Sequence, residues 1–284
     1  MDQASVLDRP VDVATRLQRD LKANGFAVVR NVLTQDQVRE LRAMTGRHLK
    51  SAGWYNYGGK LQVQAMHVVP GLAGILTSES VLGVLKEIAH PLDVELTFEC
   101  DLMINTTSTW HKDIVHHPAY PDSRVFSDEA FHIYKIAFYL QEQASDSPST
   151  LKVRPGSHMR VDGMDLPVEG TSVRPGDAVI FDVRIDHVGQ MPSLTDRMLR
   201  KTLEAFGPRL HFDVQKAFTR SRSFLRAATG HMSDRMAVFM TFGPSEAWTH
   251  AYADAARNRH KEFARTLDET VLSRLARDHV IAPT

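Results

Sequence analysis

Cysteine is almost missing: Cys100 is the single one in 284 residues. No intrachain disulfide can form, and a cysteine-built zinc site is excluded. Set in the apolar run VELTFEC, Cys100 reads as a buried, inert thiol. Neither sign of charge is in excess. Lysine plus arginine and aspartate plus glutamate both total 34, so the formal net charge is zero. A chain-wide basic field for nucleic acid is therefore absent, which leaves at most a local patch. No apolar run approaches the roughly eighteen residues of a membrane span. The opening MDQASVLDRPVD lacks the basic-then-apolar order of a secretory leader. No repeat period and no low-complexity linker stands out. The expectation is a cytoplasmic protein, one domain over 1–284, with neither membrane nor nucleic acid as partner.

Hydrophobic residues at 43% and charged residues at 24% are ordinary globular usage, enough to build a core. Val13, Leu17 and Leu21 recur every four residues in PVDVATRLQRDLKAN (10–24), which predicts an amphipathic helix stopped near Gly25. FAVVRNVL follows as a short strand. Thr34 is then placed to cap a helix over QDQVRELRAMTGRHLKSA, with Val38, Leu41 and Met44 on one face. The middle changes character. Short β-branched and aromatic runs lie within 93–104, 131–141, 150–156 and 176–186, punctuated by Gly, Pro, Asp and Ser. MLRKTLEAFG (198–207) reads as one more strand, and from Ser245 the chain turns helical again. Short strands at this spacing predict a sandwich or barrel, flanked by helices at both ends.

Histidine is generous at fourteen, and three fall inside TWHKDIVHH (109–117). In a strand, residues two apart share a side, so His111 and Asp113 present an imidazole and a carboxylate together, with Lys112 turned away. That is two-thirds of a 2-His-1-carboxylate facial set, which leaves open positions on a non-haem Fe(II) ion. His187, delivered by the strand AVIFDVRI, is the best distant third ligand. His116 and His117 read as loop or pocket neighbours, in a segment (IVHHPAYPDSR) that looks like a lid.

WHKD (110–113), YL (139–140), VRPGSH (153–158), GDAVIFD (176–182), His187 and RKTLEAF (200–206) follow one another in the order found in the phytanoyl-CoA dioxygenase-like family. ANGFAVVRNVLTQDQVRELR (23–42) also resembles that family's opening, and the resemblance covers roughly 15–207. It implies a mainly β fold with flanking α-helices: a double-stranded β-helix, or cupin-like jelly roll, with its core at about 93–207. It implies Fe(II) with 2-oxoglutarate and O2 as cosubstrates. His111, Asp113 and His187 match the iron ligands, and a carboxylate at Asp113 disfavours halogenation.

The family also places an arginine after the distal histidine to hold the far carboxylate of 2-oxoglutarate. A guanidinium fork suits a planar carboxylate. Arg197 and Arg200 fall on either side of the usual spacing. Arg200 is preferred, with Thr202 two residues on as a second contact to the same carboxylate. Lys135, inside the apolar FHIYKIAFYL, either faces solvent or turns inward to cosubstrate or substrate. His158 reads as structural, and Trp110 as site support or core. The basic stretch RSRSFLRAATGH (220–231) reads as a solvated face or a pocket border.

The implied activity is oxidation, most simply hydroxylation, of a C–H bond in a small molecule, with release of succinate and CO2. The same centre also serves desaturation, epoxidation, ring formation or epimerisation. From a different class, a jelly-roll binding protein with a degenerate site is the competing reading. Segments 53–70, 114–130 and 208–235 are expected to choose the substrate. Their mixture of aromatic, histidine and arginine side chains suits a polar or partly aromatic one. A monomer and a homodimer fit equally.

Overall fold

The computed structural model describes residues 11–116, 123–210, 213–229, 234–263 and 265–282. The amphipathic start is helix α1 (Val11–Asn24), ended at Gly25, whose φ of +78° suits the absence of a side chain. Strand β1 (Phe26–Val29) follows, then helix α2 (Gln35–Ser51). Thr34 caps α2 as expected: its hydroxyl accepts from Gln37 N, and the Gln37 side chain returns the bond to Thr34 N. A hairpin of β2 (Trp54–Asn56) and β3 (Gly59–Gln62) leads into three helices, α3 (Ala65–Val68), α4 (Leu72–Leu76) and α5 (Glu79–Ala89).

The β core comprises β4 (Val94–Ile104), β5 (Tyr134–Tyr139), β6 (Lys152–Val153), β7 (Glu169–Gly170), β8 (Ala178–Asp182) and β9 (His187–Val188). Helices α6 (Leu194–Leu210) and α7 (Val214–Ala228) intervene before β10 (Met236–Pro244). Helices α8 (Ala247–Arg259) and α9 (Glu269–Arg277) and the short β11 (Val280–Ile281) close the chain. The larger sheet runs β1-β8-β5-β10-β4-β3-β2, antiparallel throughout, with β11 added parallel to β4. The smaller sheet is β7-β6-β9. The two form a double-stranded β-helix.

Two expectations are corrected. Residues 198–207 are helical, not a strand, because they belong to the 17-residue α6. The run MAVFMTFGP, unassigned in the sequence reading, is a central strand between β5 and β4. The core therefore extends past 207 to Pro244.

Strand β5 is buried on both faces, which is why its sequence does not alternate polar and apolar. Ile136 and Phe138 face the helical layer, with Val238, Met240, Cys100 and Leu102 beside them. Ala137 and Tyr139 face the barrel interior, with Phe181, Val179, Leu151 and Val153. Each large apolar side chain so buried contributes roughly 1.5–3 kcal/mol. Cys100 is buried in the first cluster, and burial pushes its thiol pKa up, so it stays protonated. No helix among the described residues is long and apolar enough to cross a membrane.

Candidate metal centre

His111 and His187 are cross-strand partners. The His111 amide donates to His187 O at 3.1 Å, and the His187 amide returns the bond to His111 O at 2.9 Å. This one antiparallel bridge fixes the two backbones and leaves the rings 4.3 Å apart, centre to centre. Each ring's Nδ1 faces a carbonyl two residues back: Thr109 O at 2.7 Å for His111, Ile185 O at 3.1 Å for His187. A carbonyl only accepts, so each Nδ1 carries the proton and each Nε2 keeps its lone pair. Burial lowers the His187 pKa to about 4, which holds that ring neutral. Burial also lowers that of His111, but the Asp113 carboxylate more than offsets it and the net direction is up.

Asp113 opens a single turn of 3-10 helix (Asp113–His116) and turns back to the histidines. Its Oδ1 lies 3.5 Å from His111 Nε2 and 3.8 Å from His187 Nε2. One donor atom from each residue falls within 4.8 Å of the others. Two imidazole nitrogens and one carboxylate oxygen, gathered on one side, are the donor set that suits Fe(II) with exchangeable positions left over. Lys135 lies on β5 and turns inward: its Nζ is 2.6 Å from Asp113 Oδ2. Burial would raise the Asp113 carboxyl, but Lys135 and the two histidines outweigh it and hold the pKa well below the usual aspartate range. The same partnership raises the lysine pKa despite its burial.

The PGSH element braces this arrangement. Lys112 points away from the donors and is buried, although the segment is an isolated bridge at His111 followed by a 3-10 turn rather than the expected strand end. Its Nζ donates to Ser157 O at 2.7 Å and Arg184 O at 2.8 Å, and lies 3.2 Å from Asp186 Oδ2. Ser157 Oγ accepts from the Asp186 amide at 2.8 Å. Residues next to His111 and to His187 are thus tied to one turn. Its neighbour His158 sits against Gly25, with Nε2 3.2 Å from Lys22 O, so it docks α1. Trp110 lies under the Arg154 guanidinium at 4.7 Å. His117 lies outside the described residues.

The donors open into a cavity of about 550 Å³, whose wall includes Asp101, Lys135, Leu151, Phe181, Arg200, Arg235 and Phe239. Arg200 does not stand on a strand. It projects from α6 at the cavity wall, with Nε 2.7 Å from Glu204 Oε1 and its guanidinium over the Tyr57 ring at 5.2 Å. Arg197 is exposed, and its Nε donates to Pro192 O. The Thr202 hydroxyl donates one turn back to Met198 O, a bond available only in a helix. The same-face strand geometry expected for Arg200 and Thr202 is therefore overturned.

Arg235 is the cation that sequence reasoning missed. It is buried at the entrance of β10, with Nε donating to Ser149 O at 2.8 Å and its guanidinium over the Tyr139 ring at 5.3 Å. Among the described residues no carboxylate pairs with it, and burial pulls its pKa down. The available signal was its place just before MAVFMTFGP. Arg222, in the basic stretch, is also buried: Nε lies 2.9 Å from Asp196 Oδ1 and Nη1 donates to Gly58 O at 3.1 Å. It fastens the α6–α7 pair to the β2–β3 turn.

Fold and donor set together define a double-stranded β-helix carrying a 2-His-1-carboxylate centre. Solved structures bear out the fold. The chain is similar to the non-heme alpha ketoglutarate dependent carbocyclase SnoK from nogalamycin biosynthesis, with TM-score 0.60 and 16% identity over 94% of this chain and 96% of that one. It is similar also to the epimerase SnoN from the same biosynthesis, with TM-score 0.57 and 14% identity over 83% and 84%. HygX from Streptomyces hygroscopicus, solved with nickel and 2-oxoglutarate bound, gives TM-score 0.55 and 12% identity over 82% and 88%. At these identities the likeness is one of fold. No family model matches the sequence, and no curated protein matches it.

Proposed function

We propose that the chain is a non-haem Fe(II) enzyme that uses 2-oxoglutarate and dioxygen to oxidise a C–H bond of a small molecule. The observation that carries this reading is the convergence of His111, Asp113 and His187 on a cavity that also holds a buried guanidinium without a carboxylate partner among the described residues. A metal-free binding protein would have no use for either. The motifs WHKD, VRPGSH and GDAVIFD favour a place beside the phytanoyl-CoA dioxygenase-like enzymes within this class.

His111 Nε2, His187 Nε2 and Asp113 Oδ1 would hold the iron. Arg235, rather than Arg197 or Arg200, would take the far carboxylate of 2-oxoglutarate, because it is buried, forked and has no carboxylate partner among the described residues. When bound, iron and 2-oxoglutarate supply an oxidant derived from dioxygen, with succinate and CO2 as co-products. The protein's share is to orient the donors through Thr109, Ile185 and Lys135 and to keep water from the reacting atoms through Leu151, Phe181 and Phe239. Hydroxylation is the simplest outcome. The similar structures described as an epimerase and a carbocyclase favour stereochemical inversion or ring closure instead, since the pose of the substrate and not the centre selects among them.

The test is an anaerobic titration of apoprotein with Fe(II) and then 2-oxoglutarate, followed by the weak visible charge-transfer band of the chelate. A band in the wild type that disappears in His187→Ala supports the reading. A folded wild-type protein that binds iron and 2-oxoglutarate without a band, or binds neither, refutes it.

A further inference from the structure

The β4 side chains that face the barrel interior run Glu99, Asp101, Met103, two residues apart. Glu99 is occupied: the Tyr252 hydroxyl donates to it at 2.8 Å and Arg259 Nη2 at 3.0 Å. Asp101 is not. It is partly buried on the wall of the cavity that holds His111, Asp113 and His187, and it makes no hydrogen bond or ion pair with any described residue. Burial pushes its carboxyl up to about 7, against the opposing charge of Lys135. A carboxylate withdrawn from bulk water without a partner costs stability, and here no part of the fold uses it.

Uncharged polar side chains share the cavity wall with the apolar Met103, Leu151, Phe181 and Phe239. Asn56, Tyr57 and Thr109 line the same cavity, and their side-chain amide and hydroxyl groups make no hydrogen bond to described residues. Ser108 Oγ accepts from Gly189 N at 2.9 Å, which leaves its proton to donate. Of the wall's cations, Arg200 is tied to Glu204 and Lys135 to Asp113, and Arg235 is the one assigned above to the far carboxylate of 2-oxoglutarate. With Arg235 taken by 2-oxoglutarate, the wall offers several hydrogen-bond groups beside apolar surface and little free positive charge, a poor match for the phosphates of an acyl-coenzyme A.

We infer that this cavity receives a polyhydroxylated, sugar-like small molecule, one hydroxyl of which donates to Asp101 and so fixes which C–H bond faces the metal. A hydroxyl fits better than an ammonium, because Lys135 already sets one positive charge against Asp101 and the metal adds more. The inference rests on the proposed function and names the substrate class of that same site.

The experiment titrates protein loaded anaerobically with Fe(II) and 2-oxoglutarate. One panel is hydroxylated: a methyl glycoside, a disaccharide, a nucleoside and a cyclitol. The other is acyl: octanoate and octanoyl-coenzyme A. The readouts are perturbation of the chelate's visible band and a rise in melting temperature. A hydroxylated probe is expected to saturate both. Asp101→Ala is expected to weaken that probe on the order of 10- to 100-fold, the effect of one hydrogen bond to a charged group. Asp101→Asn, whose amide oxygen still accepts, should weaken it less. Saturation by acyl probes alone, no saturable hydroxylated probe, or equal affinity in Asp101→Ala would each overturn the inference. Absence of the chelate band itself would instead count against the proposed function, so the two failures are distinguishable.

Discussion

Lys135 Nζ lies 2.6 Å from Asp113 Oδ2, while Asp113 Oδ1 is the oxygen that approaches the two histidines. The lysine thus tethers one carboxylate oxygen and leaves the other, Oδ1, as the one that would serve the metal. Partners of ligands commonly carry 10–100-fold of metal affinity. Lys135→Met is therefore expected to weaken Fe(II) binding about 10- to 100-fold, read by anaerobic titration with Fe(II) or Co(II). Unchanged affinity would reduce the pair to a structural contact.

Arg235 and Arg200 separate two claims about the cosubstrate. Arg235→Gln is expected to raise the 2-oxoglutarate concentration that half-saturates the chelate band by roughly 30-fold or more, the cost of leaving a buried carboxylate without its charged partner. Arg200→Ala, which removes an ion pair with Glu204 on a helix, should shift it by less than about threefold. The reverse order would return the role to Arg200.

Arg222 holds the α6–α7 pair by its bonds to Asp196 and the Gly58 carbonyl. Arg222→Ala leaves Asp196 buried without its cation, which costs about 3–5 kcal/mol. The expected result is a lower melting temperature together with early proteolytic cutting within 194–228. A variant as stable and as resistant as wild type would show that the helices are held by other contacts.

Asp177 joins the β1–α2 turn to the start of β8. It accepts from Asn31 N at 3.0 Å and Arg174 N at 2.9 Å and lies 2.6 Å from Arg30 Nη1. Burial would raise its pKa, but these donors win and the net direction is down. A carboxyl lowered on folding stabilises above its unfolded pKa of about 3.9 and loses that contribution as pH falls through the folded value. Asp177→Asn should thus cost about 1–2 kcal/mol at pH 7, the exposed Arg30 arm being screened by solvent. The gap from wild type should close below about pH 4. Denaturant curves at both pH values decide it, and a pH-independent gap would count against the assignment.

Local signals were legible in the chain itself. The α1 face, the Thr34 cap, and the apolar runs of β4, β5 and β8 each depend on neighbours a few residues away. His111 and Asp113, with one residue between them, could be read as a pair for the same reason. Arg235 could not. The usual spacing requires a short turn after His187, but α6 and α7 are inserted between β9 and β10. RKTLEAF, which resembled a strand, has a helical period as well, and a seven-residue window does not separate the two.

Sequence alone thus determined several elements, among them α1, α2, β4, β5 and β8, together with the donor types and the absence of disulfide and of net charge, because these follow from composition and local periodicity. Only the tertiary structure decided which arginine is buried in the cavity, that Lys135 turns inward to Asp113, and that Asp101 lines the cavity of the metal centre without a partner among the described residues. Those facts depend on strands paired across long stretches of chain, where β10 lies between β4 and β5, and no local pattern encodes which side chains such pairing brings together.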